Sequence, residues 1–383
     1  MAVSRPLPGR VLLLGAGLIV GLLLAEVLVR GVNYARSGTD RDRGGVERAY
    51  QQHDPVLGWR PIPGVTARHH TTEFDVSYAI GAHGFRQRDP PLQRGNREDG
   101  SPRPRVLVLG DSFVFGQGVA EEERFTERIA AALDIDVVAV GIPGSGTDQQ
   151  LLLYEELTGP SGLFATPGPG SKPSVPAFDV VVLGFLLEAV ERNADDSRAG
   201  RSKPRFVLDE AGALQLTGVP VPDDYVTLAE RTAVRETTLT ARIKGSLRRH
   251  SVLYGLLRAR FREDLRAGSP ATLRTRSTVR PERGWLVTQA LLSRFADQVR
   301  ESGADLVVAV IAGRLELDAD HDEDPVTRVL ELCEDLGVVA VDFAPALREV
   351  GSEHCYFDVD GHWTPRGHAI AASVLGREVL VSR

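Results

Sequence analysis

Apolar residues are distributed along this chain in three regimes. Val11 to Val29 is a run of Leu, Val, Gly and Ala whose single charge is Glu26. Its length is close to the ~20 apolar residues that a bilayer-spanning helix needs. It therefore predicts a transmembrane anchor over residues 11–29, behind a short tail of residues 1–10. A cleaved signal peptide fits less well, because the run exceeds the usual apolar core of such peptides and no small-x-small cleavage site follows it. Residues 49–90 lack helical periodicity and carry turn signals such as Pro61-Ile62-Pro63-Gly64, with a short alternation at Phe74-Asp75-Val76-Ser77-Tyr78. They predict an irregular, strand-containing extension over residues 30–100. From Arg103 onward, short β-branched runs alternate with amphipathic segments, the pattern of a parallel sheet covered by helices.

Five runs read as buried strands: Val106–Leu109, Val137–Val140, Val180–Leu183, Leu306–Ile311 and Val338–Val341. Helical spacing follows most of them, as in Phe125, Ile129 and Leu133, or in Leu292, Phe295 and Val299 ahead of a stop at Gly303. This is βα repetition, and it predicts one α/β domain over residues 101–383. Gly159–Pro176 reads as a surface loop. Residues at about 200–283 interrupt the repetition between the third and fourth strands and are long enough for a cap or subdomain.

The first strand runs directly into Gly110-Asp111-Ser112-Phe113, with a helix expected from about Glu121, so Ser112 falls just past a strand's carboxyl end, where open α/β sheets carry their sites. A serine hydroxyl is a weak nucleophile unless a base takes its proton, so a histidine with an orienting carboxylate must lie elsewhere. Asp358-Val359-Asp360-Gly361-His362-Trp363-Thr364-Pro365 supplies both. Thr364 is suited to cap the last helix and Pro365 to its first turn, which puts Asp360 and His362 on the loop before it. If the fifth strand neighbours the first, that loop reaches Ser112.

The serine block lacks the second glycine of the Gly-x-Ser-x-Gly elbow. It resembles instead the SGNH (GDSL-like) hydrolase superfamily, on Gly110-Asp111-Ser112-Phe113, on Val140-Gly141-Ile142-Pro143-Gly144-Ser145-Gly146-Thr147 and on the C-terminal Asp360/His362 block. The membrane-anchored branch, with its alginate-acetylation-related proteins, is suggested also by His53-Asp54-Pro55-Val56-Leu57-Gly58-Trp59-Arg60 and Gly84-Phe85-Arg86. The resemblance implies a flavodoxin-like three-layer α/β/α fold with a five-stranded parallel sheet. It implies a triad of Ser112, His362 and Asp360, with an oxyanion bound by the backbone amides of Ser112 and Gly144. Two departures stand out. The family's usual Asn after the third strand falls near Ala189, which makes Asn193 the nearest substitute donor, and the C-terminal spacing is Asp-x-His where Asp-x-x-His is commoner.

The implied activity is an extracytoplasmic serine esterase-type hydrolase acting on ester or O-acyl groups of a glycan or other envelope substrate, without a metal or other cofactor. An O-acetyltransferase would use the same residues. A catalytically inactive, membrane-tethered glycan-binding or assembly protein is the alternative from another class. The arginines do not favour the extracytoplasmic side: Arg5 and Arg10 precede the anchor whereas Arg30, Arg36, Arg41, Arg43 and Arg48 follow it, which counted literally keeps the domain in the cytoplasm.

Composition narrows the partners. With 42% hydrophobic and 25% charged residues over 383, the chain is globular, and its net charge of -7 argues against a nucleic-acid partner. Gly141, Gly144 and Gly146 do not match a nucleotide-binding fingerprint and no Walker lysine follows them. The acidic run Asp318–Asp324 has Glu323 and Val329 where a calcium loop needs Gly and Glu, so it reads as a solvated turn with Asp324 as a helix cap. Arg231–Arg266 reads as a solvated helical face of the insertion. Cys333, at helical spacing with Val326, Val329 and Leu330, reads as a small core hydrophobe.

Overall fold

The computed structural model describes residues 45–46, 49–87, 90–165, 177–223, 271–318 and 325–377. The chain divides into two units, residues 1–42 with 226–276 and residues 43–225 with 277–383. Of the first, the described residues include only 271–276, in a helix; every described strand belongs to the second. The expected membrane span 11–29 and the arginine stretch 231–266 lie outside the described residues, as does most of the acidic run. Among the described residues no helix is long and apolar enough to cross a membrane.

The extension forms small antiparallel pieces. Strands β2 (Gln51–Asp54) and β3 (Gly58–Pro61) make a hairpin. Strands β1 (Gly45–Val46), β4 (Thr66–His70) and β5 (Asp75–Ala79) make a three-stranded sheet in the order β1-β4-β5. Tyr78, fully buried, packs edge-on to Phe115 at 5.0 Å, which joins this sheet to the α/β part.

The α/β part then runs β6 (Arg105–Gly110), α1 (Ser112–Phe115), a 3-10 turn at Glu121–Glu123, α2 (Phe125–Leu133), β7 (Asp136–Gly141), α3 (Thr147–Thr158), β8 (Val180–Leu186) and α4 (Ala189–Ala194). Two small hairpins follow, β9 (Ser197–Arg198) with β10 (Arg201–Ser202) and β11 (Arg205–Leu208) with β12 (Leu214–Thr217). The remainder is α5 (Ala271–Glu301), β13 (Asp305–Ile311), α6 (Arg314–Asp318), α7 (Pro325–Asp335), β14 (Val339–Asp342), α8 (Ala344–Val350), α9 (Ser352–Cys355) and α10 (Pro365–Leu375). The expected insertion thus begins as hairpins, and α5 starts inside its expected bounds.

Strands β7-β6-β8-β13-β14 form one parallel sheet in that order. Renumbered by sequence the order is 2-1-3-4-5, that of flavodoxin-like folds. Strands β6, β7 and β8 are buried at every position, as continuous apolar runs require when helices cover both faces. For the order 2-1-3-4-5 the right-handed crossover rule assigns α2 to one face and α3, α5 and α7 to the other. Tyr154 of α3 meets Phe295 of α5 at 5.2 Å, and α10 packs on α2. Cys333 is buried on α7, and burial pushes its thiol up to about 11.

The fifth strand does not neighbour the first. Strand β14 is the far edge, separated from β6 by the two strands β8 and β13. The chain returns toward β6 through α8 and α9. The Asp360 loop is then closed by a bridge between Tyr356 and Trp363, with Phe357 N–H donating to the His362 carbonyl at 2.8 Å.

Candidate active site

Ser112 opens α1, one turn of helix directly after β6, where the helix was expected only from Glu121. Asp111 caps that turn by accepting from Phe113 N–H at 3.0 Å. Thr364 caps α10, accepting from Gly367 N–H at 3.3 Å, and Pro365 takes the first helical position. Each cap fixes where its flanking loop leaves the helix.

The two loops meet. Ser112 Oγ lies 2.7 Å from His362 Nε2, and His362 Nδ1 lies 2.5 Å from Asp360 Oδ1. A ring that donates its Nδ1 proton to Asp360 leaves Nε2 to accept from the serine. Ser112 is 7% exposed, while the His362 and Asp360 side chains are 19% and 18% exposed, so the dyad behind the hydroxyl stays partly wet. Burial pushes the Asp360 carboxyl up, but its bond and charge interaction with His362, with help from Gln117, outweigh this and hold it below the usual carboxylate value. Gln117 Nε2 donates to Asp360 Oδ2 at 3.2 Å.

The second glycine block forms a tight turn after β7. Ser145 N–H donates to the Ile142 carbonyl at 3.0 Å, with Pro143 at the second position and Gly144 at φ +83° at the third, the signature of a type II turn. Gly110 and Gly141 are paired in register, so the turns carrying Ser112 and Gly144 leave adjacent strand ends. Among the described residues, neither the Ser112 nor the Gly144 amide has a hydrogen-bond acceptor. Two unpaired amides at adjacent strand ends, one of them the serine's own, are the kind of donors that can bind a developing oxyanion.

Asn193 does not join them. It is fully buried, its Nδ2 donates to Thr288 Oγ1 at 2.9 Å, and its Oδ1 accepts from Asp148 N–H at 3.3 Å. Its amide ties α4 to α3 and α5, so the expectation of a third oxyanion donor there is corrected.

The residue before it, Arg192, points toward the site. Nη1 donates to Asp111 Oδ2 at 2.7 Å and to the Ser145 carbonyl at 3.0 Å, and Nη2 donates to Glu188 at 3.0 Å. Burial alone would push this guanidinium down, but the charges of Asp111 and Glu188 more than offset it and raise its pKa. The i, i+4 pair Glu188 and Arg192 was visible in the sequence, but its aim at Asp111 was not. Lys203 adds a second buried ion pair, with Asp148 in the first turn of α3, and donates to the Arg192 carbonyl at 3.2 Å.

The extension also reaches the site. Glu73, in the turn between β4 and β5, accepts from the Val359 and Asp360 amides, each at 2.9 Å, and Phe74 packs on Phe357 at 5.0 Å. Arg86 donates to the carbonyls of Phe115, Gly116 and Val119, and the Tyr78 hydroxyl accepts from Gly118 N–H at 3.0 Å. No group of residues fit to hold a metal occurs among the described residues.

Residues 274–382 match the family model described as "ALGX: SGNH hydrolase-like domain, acetyltransferase AlgX". The chain resembles the SGNH superfamily, with an AlgX-like C-terminal part. No curated protein matches the sequence. Among solved structures it is similar to a lipolytic protein of the G-D-S-L family from Veillonella parvula, at 10% identity over 72% of this chain and 98% of that one, with a TM-score of 0.36. It is similar also to an acetyl xylan esterase from Geobacillus stearothermophilus, at 14% identity over 72% and 94%, with a TM-score of 0.33. A carbohydrate esterase family 2 enzyme with its carbohydrate binding domain, from Corynascus thermopiles (Myceliophthora fergusii), gives 14% identity over 87% and 85%, with a TM-score of 0.36.

Proposed function

We propose, taking the SGNH-type match of residues 274–382 as premise, that the protein is a serine esterase-type enzyme acting on O-acyl esters of a glycan or other envelope substrate. The observation that carries this reading is the continuous chain from Ser112 Oγ through His362 to Asp360, at 2.7 and 2.5 Å. Ser112 Oγ attacks the ester carbonyl carbon and its proton passes to His362 Nε2. Asp360 holds the ring in the tautomer that can take it. The carbonyl oxygen, now an anion, is met by the amides of Ser112 and Gly144. Collapse expels the alcohol, which takes the proton from His362 and leaves an acyl-serine. Water, deprotonated by His362, then frees the acid.

An alcohol can take the place of that water, and the product is then a new ester. The family description of an acetyltransferase favours this second reading, with a sugar hydroxyl as acceptor. Incubating the purified protein with an activated acetyl ester, with and without an oligosaccharide, separates the two: free acetate in both reactions supports hydrolysis, and acetylated sugar supports transfer. Neither product, with turnover equal to that of Ser112→Ala, refutes both and leaves the inactive glycan-binding or assembly protein.

The proposal includes a tether through residues 11–29 and an extracytoplasmic active domain. Protease added outside intact cells should then cleave that domain, and its full protection would contradict the location.

A further inference from the structure

The block His53–Arg60 stood out in the sequence, and no step of the proposed chemistry uses it. Its residues build one device. Asp54 Oδ1 accepts from the amides of Val56 and Leu57, at 2.9 and 2.7 Å, and closes the turn between β2 and β3. Gly58 ends that turn at φ +83°, where a Cβ would lie 2.8 Å from the Ser202 carbonyl oxygen. Arg60 is bound by Asp54 and forms a two-pronged pair with Glu156 of α3 at 2.9 and 2.7 Å. Between them Trp59 is fully buried, with the Arg201 guanidinium 4.4 Å above its ring.

The indole has one polar atom, and it is aimed at the turn after β7. Trp59 Nε1 donates to the Pro143 carbonyl at 3.0 Å, and Gln51 Nε2 donates to the same oxygen at 3.3 Å. That carbonyl belongs to the peptide whose other half is the Gly144 N–H. Across a trans peptide the C=O and N–H point in opposite directions, so a bond that fixes one aims the other. Types I and II of a β-turn differ by a flip of this central peptide, and a glycine at the third position tolerates either. The turn-closing bond from Ser145 to Ile142 is compatible with both. The bond from Trp59 is compatible only with the orientation present, since a flip would carry the carbonyl away and strand a buried donor.

We infer that Trp59, seconded by Gln51, is a positioning residue that holds the Gly144 peptide in its oxyanion-binding orientation. The inference rests on the proposed acyl-transfer chemistry and deepens it: the extension supplies part of the machinery that stabilises the transition state. The hydrogen bond acts on a group needed only once the oxyanion forms, so it should affect kcat and leave KM alone.

Trp59→Phe keeps an aromatic ring in the pocket and removes the donor. With an activated acetyl ester as substrate, kcat should fall on the order of tenfold or more, short of the ~10²–10³ that follows loss of a whole oxyanion donor. KM should stay within about twofold, as befits a group that acts in the transition state. A folded variant with unchanged kcat, or with KM raised and kcat intact, would overturn the inference. If Trp59→Phe lowers the melting temperature so far that its kinetics cannot be read, Gln51→Leu at the half-buried hairpin edge decides instead: a lowered kcat at constant KM supports the inference and an unchanged kcat overturns it. Failure of the underlying chemistry looks different, because wild type and Ser112→Ala would then turn over the ester equally.

Discussion

Arg192 Nη1 sits 2.7 Å from the Asp111 carboxylate and 3.0 Å from the Ser145 carbonyl, so one guanidinium joins the turn before the candidate nucleophile to the turn that carries Gly144. Both partners of the ion pair are buried, at 6% and 1% exposure. Removing one partner of such a pair strands the other charge, at a cost of about 3–5 kcal/mol. Arg192→Met should therefore lose about that much stability in urea unfolding. Adding Asp111→Asn to it should recover part of the loss, since the charge left without Arg192 is then only that of the half-exposed Glu188. A single variant as stable as wild type would contradict the pairing.

Glu73 clamps the Asp360 loop from the extension, through two backbone amides. Misplacing a reacting group by an ångström can cost up to ~10²-fold in rate, so Glu73→Ala should lower kcat between about tenfold and that limit with little change in melting temperature. Glu73→Gln, which keeps one acceptor, should fall between. Ester turnover measured on the three proteins checks the order.

Asn193→Ala tests a different assignment. Its amide is satisfied inside the core, so the variant should lose about 1–3 kcal/mol of stability while the folded fraction keeps near-normal turnover. A selective fall in kcat at normal stability would restore Asn193 as an oxyanion donor.

Acid should destabilise the fold through His368. Burial holds this imidazole neutral well below its usual range, and the charges of Arg86, Arg124, His362 and Arg128 push the same way. The folded value is depressed, so the unfolded chain takes up a proton below about pH 6.5 while the folded chain does not. Stability then falls with decreasing pH by up to about 1.4 kcal/mol per unit until the folded value is reached. Unfolding free energies between pH 7.5 and 5 should show this slope in wild type and a shallower one in His368→Gln.

What the sequence revealed and what it hid divide along physical lines. Buried parallel strands are continuous apolar runs, so β6, β7, β8 and β13 could be read to within a residue or two at most ends. The Thr364-Pro365 cap placed the loop of Asp360 and His362 in the same way, through local chemistry. Sheet order leaves no local trace: whether the fifth strand neighbours the first was left open in the sequence, and β14 lies at the far edge. The contacts from Trp59 to Pro143 and from Glu73 to Asp360 span 84 and 287 residues, and neither partner's neighbours betray them. Asn193 was misread because a polar residue near the right position says nothing about whether its amide is already spent in the core.

The most direct test of an activated Ser112 is to trap the acyl-enzyme. Wild type quenched during turnover of an activated acetyl ester should carry one acetyl group on the peptide containing Ser112, and Ser112→Ala and His362→Ala should carry none there. An unmodified Ser112 in a protein that turns over the ester, or equal modification in the His362 variant, would contradict the account.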